Sequence, residues 1–538
     1  MRIHLVSLED GITATGFRKF AAHAERLNPD TRVFYVGTPS YRSLWKSFSR
    51  GMGDAREFTP SEIDQIASGL AGADIIGLSC MSGYSHLAAR IAARLRVVSP
   101  ESYLIWGGIH PIIYPEDAIR AEVDAVCTGE GELAFGELLD HFANGRDFTS
   151  TRNFWFKRDG NVHRNLHRPL LTPQELETLA FPKYAGKEWI FDCAEGGFVP
   201  VTLRDYLNNN GLAYQAIWSI GCPLHCTFCG NTVFIKNDPL YKNVRHPSAR
   251  YMVNEVRRAR EVHPHISSVL FHDDSFMAIP LRDLTEFATL WRDEVGLPFC
   301  VYGIIPNYVQ RDKMEVLTWA GMNRVRMGIQ SGSERILKFY KRPTPVPRIE
   351  QAATTIAEFS RYQINPAYDV IVDNPIETRE DVIATLELFY RLARPFTCNI
   401  FSLRVIPNTV LEAQMKENGI DLDRISANYT SLRPTFANVV LYLLLVARPP
   451  RRIFDWLLKR VRAYGEPQRM HPILIRMVRI PWLIKQGLRH LRFAEFSVIT
   501  GYTGYVLWRL GLLRAWRNLT VRKLRRSPET PAKTAATA

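Results

Sequence analysis

A doubly wound parallel α/β sheet, a partial (β/α)6 barrel and a basic helical tail, in that order, are the architecture this sequence predicts. Three observations carry the expectation. Short apolar runs alternate with helical patterns over residues 1–145, the alternation resumes over 213–418, and the charge balance changes abruptly near 448. Strand and helix in strict alternation give parallel sheets covered by helices.

In the first unit, runs at 3–7, 32–37, 74–79, 103–106 and 125–127 are short enough for buried parallel strands, with helical patterns at 84–97 and 115–121. An open sheet of this kind binds ligands beyond the carboxyl ends of its strands. The turns at those ends are Ser79-Cys80-Met81-Ser82-Gly83, Gly107-Gly108-Ile109-His110-Pro111 and Thr128-Gly129-Glu130-Gly131-Glu132. Their glycines let a ligand approach the backbone. Residues 146–212, with Pro169, Pro173 and Pro182, read as a polar connector.

Over 213–418 six strands are expected, at 214–219, 268–272, 299–303, 324–328, 367–372 and 399–405. Helices are expected at 246–262, 281–294, 311–320 and 346–359. Six β/α units suggest a barrel, full or partial, whose site lies at the C-terminal ends of its strands.

Residues 419–526 are expected as a helical basic region and 527–538 as a disordered tail. From Arg448 onward there are 20 Lys+Arg against 4 Asp+Glu, whereas the preceding 447 residues hold 48 against 50. The basic character therefore belongs to the tail alone. A helix from Arg451 with Ile453, Leu457, Val461 and Tyr464 on one face has the pattern of interfacial helices. Membrane-surface docking, a cap packed on the barrel and nucleic-acid binding are the three readings. Interleaved aromatic and aliphatic residues argue against nucleic acid. The run 436–447 is too short to span a bilayer; 493–513 is long enough but carries Glu495 and Arg509.

Three of the eight cysteines, Cys222, Cys226 and Cys229, fall within eight positions directly after the first barrel strand. The scatter of the others fits a reducing cytoplasm with one local metal site. A C-x3-C-x2-C loop can give one thiolate to each of three irons of a four-iron cluster, leaving the fourth iron open to a substrate-like group. Zinc is the alternative, but it prefers four ligands, usually in two separated pairs, and His225 lies inside the loop where ligation is strained. Three merely structural cysteines are the other alternative.

This loop, Ser219-Ile220-Gly221-Cys222-Pro223-Leu224-His225-Cys226-Thr227-Phe228-Cys229-Gly230, resembles that of the radical SAM superfamily. Phe228 matches the aromatic those enzymes often carry before the third cysteine. Phe271-His272-Asp273-Asp274-Ser275-Phe276 resembles the segment that contacts the amino group of S-adenosylmethionine (SAM), although an N-cap pair would look the same. Gly328-Ile329-Gln330-Ser331-Gly332-Ser333-Glu334 resembles G-I-E-S-G-S-E, with Gln330 replacing Glu. Asp373-Asn374-Pro375-Ile376-Glu377-Thr378 and Ile406-Pro407-Asn408-Thr409 resemble G-x-P-G-E-T and Y-P-G-T with glycines lost. The resemblance implies a radical SAM barrel, a [4Fe-4S] cluster on the three cysteines, and SAM contacts from Phe228, Asp273, Asp274, Gln330 and Ser331.

The N-terminal, flavodoxin-like sheet followed by this barrel resembles the cobalamin-binding branch of radical SAM enzymes. The matches are Trp106-Gly107-Gly108-Ile109-His110-Pro111 with Pro115-Glu116-Asp117, and Cys127-Thr128-Gly129-Glu130-Gly131-Glu132. The resemblance implies cobalamin contacts from Ser79, Gly107, Gly108, His110, Gly129 and Glu130. No D-x-H-x-x-G loop is present to supply an axial histidine, and His110 fits a packing role better. A Rossmann-like module without cofactor is the alternative for this unit. A methylthiotransferase is disfavoured, because Cys80 and Cys127 cannot supply a second cluster.

As a function, the resemblance implies a C-methyltransferase acting on an unactivated carbon of an apolar or amphiphilic metabolite. SAM would serve twice, as methyl donor and as source of the 5′-deoxyadenosyl radical. An oxidative cyclase or rearrangement enzyme with the same cofactors, and a non-catalytic iron–sulfur sensor or membrane-bound scaffold, are the alternatives. The expected partners are a small-molecule substrate and a flavodoxin- or ferredoxin-type reductant. The expected location is the cytoplasm, with the inner face of the membrane as docking surface.

Overall fold

The first strand, β1 (Ile3–Ser7), is apolar on both faces because it sits at the middle of a sheet covered on both sides. The computed structural model describes residues 1–9, 11–37, 57–182, 186–422, 425, 435–463, 472–493 and 502–524. In it β1 pairs in parallel with β2 (Thr31–Tyr35) on one side and β3 (Ile75–Ser79) on the other. Next come β4 (Tyr103–Gly107) and β5 (Ala125–Cys127), also parallel. The order β2-β1-β3-β4-β5 is the flavodoxin-like one, with its switch point between β1 and β3. Helices Pro60–Leu70 and Ser85–Val98 close one face, Thr15–Leu27 and Glu132–Ala143 the other.

Residues 146–212 do more than connect. They extend the sheet at both edges, with β6 (Phe154–Arg158) and β7 (Asn161–Arg164) antiparallel beyond β5. On the far side β8 (Glu188–Asp192) runs parallel to β2, and β9 (Gly197–Pro200) antiparallel to β8. Among the described residues the sheet has nine strands.

The second sheet takes its six strands in chain order: β10 (Ala213–Ala216), β11 (Ser268–Phe271), β12 (Phe299–Ile304), β13 (Met322–Gln330), β14 (Ala367–Val372) and β15 (Thr397–Ser402). Every pair is parallel, and β15 does not return to β10, so the barrel is open. The apolar core is continuous from one face of the first sheet to the outer layer of this barrel. Both sheets therefore pack as one body.

The tail packs underneath the barrel. Helix Phe436–Val446 lies against helix Arg379–Arg391, as does helix Arg451–Ala463. The latter buries Phe454, Leu457, Leu458 and Val461, stacks Phe454 on Tyr390 at 4.2 Å, and pairs Arg451 with Glu387 and Arg462 with Glu380. Its apolar face is thus satisfied by protein, not left free for lipid as its amphipathic pattern suggested; Ile453 and Trp456 alone of its large apolar residues stay exposed. Tyr464, expected on that face, lies outside the described residues, as does 527–538. On helix Pro472–Arg492, Trp482 Nε1 donates to Thr397 Oγ1 at the start of β15. Leu513 packs on Leu207 and Leu212 just before β10, and Arg517 donates to the carbonyl of Gly296 before β12. The tail therefore covers the N-terminal ends of the strands. No described helix is long and apolar enough to cross a membrane.

Candidate functional site

At the opposite end of the barrel, β10 stops at Ala216, short of the 214–219 expected, because the next residues are drawn toward β11. Asp273, at the end of β11, accepts from Trp218 N (3.1 Å), Ser219 N (2.6 Å) and Ser219 Oγ (2.6 Å). Burial pushes its carboxyl up to about 6, against the pull of those three donors. Asp273 can sit so close to β12 because Gly303, at φ +64, has no side chain: a Cβ there would fall 1.9 Å from the Asp273 carbonyl oxygen.

The cysteine loop that follows is stitched on every side. Ile220 and Arg245 exchange two backbone hydrogen bonds of 2.9 Å, Cys222 N donates to Tyr241 O at 3.2 Å, and Ser275 Oγ donates to Gly221 O at 2.8 Å. Thr227 N donates to Tyr340 O, and Leu411 N to Thr227 O. Phe228 stands edge-on to Tyr340 with centroids 5.0 Å apart. Cys222, Cys226 and Cys229 share one apolar pocket with Leu224, Ile305 and Tyr308. Burial pushes the Cys222 thiol up to about 11 and raises that of Cys229. Arg342 supplies the charge that thiolates need, donating from Nη1 to Cys226 Sγ at 3.4 Å while Nη2 holds Gly328 O.

Among the described residues no three His, Cys, Asp or Glu side chains converge on one metal ion. A mononuclear zinc site would need that convergence. A cluster asks instead for one thiolate per iron around a shared pocket, which this donor set offers.

Above the loop lies a cavity of about 490 Å³, into which the strand ends of both sheets open. From the first sheet come Ser79, Gly107, Gly108, Gly129 and Glu130; from the barrel come Trp218, Ser219, His272 and Asp274. Gly108 has φ +87, and a Cβ on it would lie 2.8 Å from Ser79 Oγ and from Cys80 N. The turn is a cradle that only glycine leaves open. Phe20, Phe135 and Phe234 make much of the wall apolar. The volume and the glycine cradle fit a large planar cofactor held against the first sheet.

The expected site residues separate here. Asp274 faces the cavity beside Asn231 and Tyr241, and burial raises its pKa. Asp273 turns away to clamp the cysteine loop. Gln330, at φ 74, ends β13 outside the cavity wall. Ser331 is fully buried, its hydroxyl 3.2 Å from Thr385 Oγ1 on helix Arg379–Arg391. His110 also lies outside the cavity: Nδ1 is 3.2 Å from Ser82 Oγ and Nε2 3.2 Å from Asp117 Oδ2, so both ring nitrogens are engaged. Glu130 lines the cavity but gives its carboxylate to Arg245 at 2.7 Å and to Leu171 N. Since Arg245 also pairs with Ile220, this ion pair ties the cofactor-facing turn of the first sheet to the cysteine loop. Arg245, Arg342, Asn231 and Tyr241 had no local signal in the sequence.

Residues 217–389 match the model of the Radical SAM superfamily, and residues 54–139 that of the B12 binding domain. An uncharacterized methyltransferase of Pyrococcus horikoshii is 25% identical over 344 residues, covering 63% of this chain and 69% of that protein. The cytidylyl-2-hydroxyethylphosphonate methyltransferase of Streptomyces wedmorensis is 26% identical over 301 residues, covering 52% and 54%. Among solved structures, the radical S-adenosylmethionine methyltransferase TsrM of Kitasatospora setae shares the fold with a TM-score of 0.59 at 15% identity, covering 78% of this chain and 76% of that one. The cobalamin-dependent S-adenosylmethionine radical enzyme OxsB gives 0.58 at 13%, covering 98% and 80%.

Proposed function

We propose that this chain, which belongs to the cobalamin-dependent radical SAM enzymes, transfers a methyl group to an unactivated carbon of an apolar or amphiphilic small molecule. One observation carries the reading: the glycine turns of the first sheet and the strand ends beside the cysteine loop open onto a single cavity. Methyl transfer, as opposed to another radical outcome, is supported by the methyltransferase names of the similar proteins.

The enzyme uses a [4Fe-4S] cluster, SAM and cobalamin, which together supply a hydrogen-abstracting radical and a transferable methyl group. Cys222, Cys226 and Cys229 hold the cluster, Asp274 takes the amino group of SAM, and the turns at Gly107–Gly108 and Gly129–Glu130 bear the corrinoid. Arg342 offsets thiolate charge, the Glu130–Arg245 pair fixes one sheet against the other, and the phenylalanine-rich wall keeps water from reactive species. A flavodoxin- or ferredoxin-type protein supplies the electron.

Anaerobic reconstitution with iron, sulfide, cobalamin and methyl-deuterated SAM, followed by incubation with metabolites from a deletion strain, tests the proposal. A product heavier by one labelled methyl group is the expected result. A product that lacks the label and two hydrogens would replace methyl transfer by oxidative cyclisation.

Peripheral contact with an anionic membrane belongs to the same reading. It is supported by the exposed row Met477, Ile480, Ile484, Leu488 and Leu491 on helix Pro472–Arg492, together with the tail's positive charge. Retention on phosphatidylserine vesicles but not on neutral ones is expected; equal behaviour with both would remove the electrostatic part.

A further inference from the structure

The inner face of the barrel is polar where a packed core would be apolar. Along β13 buried residues alternate with half-buried ones, and the half-buried set is Arg324, Arg326, Gly328 and Gln330. Tyr302, Asp369 and Asn399 on the neighbouring strands are half-buried too, and His272 is exposed within the opening. His272 also lines the cofactor cavity and stands 4.7 Å from the Tyr302 ring, so the layer adjoins that cavity at His272.

Arg326 is the most strongly built group of the layer. Its Nε donates to both oxygens of Asp369 at 2.8 Å, and Asn399 Nδ2 donates to Asp369 Oδ1 at 2.8 Å, which fixes the carboxylate in turn. The guanidinium carbon lies 5.5 Å from the Tyr302 ring centroid and 5.4 Å from that of Phe401. Two aromatic rings and an ion pair therefore hold the fork in one orientation. Because Nε carries the ion pair, the terminal nitrogens meet no acceptor among the described residues, and the side chain is 32% exposed. Desolvation by the surrounding walls, with the nearby Arg326, holds the His272 imidazole down at about 4, so it is neutral.

We propose that this layer is an anion site for the substrate, in which Arg326 binds a carboxylate or phosphate-type headgroup and the carbon to be modified points up toward the cofactors. A fixed guanidinium fork with free donors is suited to paired hydrogen bonds with a planar or tetrahedral oxyanion. The proposal narrows the substrate class of the functional reading to the anionic amphiphile, and it rests on that reading.

Hexyl phosphate, hexanoate and hexanol are the probes, with binding to the reconstituted full-length protein followed by saturation-transfer NMR. At least one of the two anions is expected to bind about tenfold or more tightly than the alcohol, and the stronger of them identifies the headgroup. Arg326→Gln should remove that preference. Arg326→Lys keeps the charge without the fork and should retain part of it, which separates anion binding from loss of fold. Hexanol binding as tightly as the better anion, failure of both anions to bind, or an unchanged preference in Arg326→Gln would overturn the site. Formation of 5′-deoxyadenosine by the wild-type preparation separates the two failures. Its absence sinks the functional reading, whereas charge-blind binding in its presence sinks the anion site alone.

Discussion

Replacing Cys226 by serine is expected to leave the chain folded, strip the iron–sulfur cluster, and lower SAM cleavage by at least about 10³-fold. Serine is close to cysteine in volume, and the loop around it is held by backbone hydrogen bonds to the carbonyls of Tyr340 and Tyr241 and by the reciprocal pair with Arg245, none of which the substitution touches. What is lost is a soft thiolate ligand that an alkoxide does not replace on iron. The other partner of Cys226, Arg342, is nine-tenths buried and would face a neutral hydroxyl where it now faces sulfur. The three cysteines act as a unit, so Cys222→Ser, Cys229→Ser and the triple variant should be as inactive as Cys226→Ser, with no additive series. Iron and sulfide analysis, with 5′-deoxyadenosine quantified after anaerobic reduction, checks this. A single variant keeping more than about a tenth of the wild-type yield would mean that the ligand set is wrong.

How far the sequence reaches is clearest in particular residues. β1, β3, β4 and β5 were predictable almost to the residue, because parallel strands covered on both faces are unbroken apolar runs. β6 to β9 were not. Phe154-Trp155-Phe156-Lys157-Arg158 mixes apolar and basic residues among turn formers, and only its pairing with β5 and β7 shows that it is a strand. The cysteine triplet is legible because its spacing is local; Arg342 comes from 116 residues away and is brought in by tertiary structure. Neighbouring carboxylates cannot be told apart in sequence, yet Asp273 clamps a loop while Asp274 meets the cavity. His110 sits in a glycine turn that faces the cofactor space, but Ser82 and Asp117 draw its ring inward. Helix Arg451–Ala463 makes the general point: its periodicity reports that one face is buried, and says nothing of whether lipid or helix Arg379–Arg391 buries it.

Gly108→Val is expected to do the reverse of Cys226→Ser, abolishing cobalamin retention while the iron–sulfur cluster stays. At φ +87 a β-branched residue is strained by roughly 1–3 kcal/mol, before any contact is counted. The contacts make it worse, because the new Cβ would lie 2.8 Å from the Cys80 nitrogen and 2.9 Å from its carbonyl oxygen, and backbone cannot swing aside as a long side chain can. The turn must therefore shift, and it shifts into the cavity it lines. Gly108→Ala shares the strain but projects less bulk, so it should fall between wild type and valine. The helix after the turn, Ile109–Ile113, meets the loop's end through Ile113 and Gly230, but the loop itself is held by β10, β11 and the Ile220–Arg245 pair. Cobalt and iron contents measured on the same purified sample decide the matter. Stoichiometric cobalt in Gly108→Val would place the corrinoid elsewhere, and loss of both metals would show that the two sheets do not hold their cofactors independently. Loss of cobalt alone assigns each cofactor to its own sheet, with the Glu130–Arg245 and Lys19–Glu255 ion pairs as charged links between the two units.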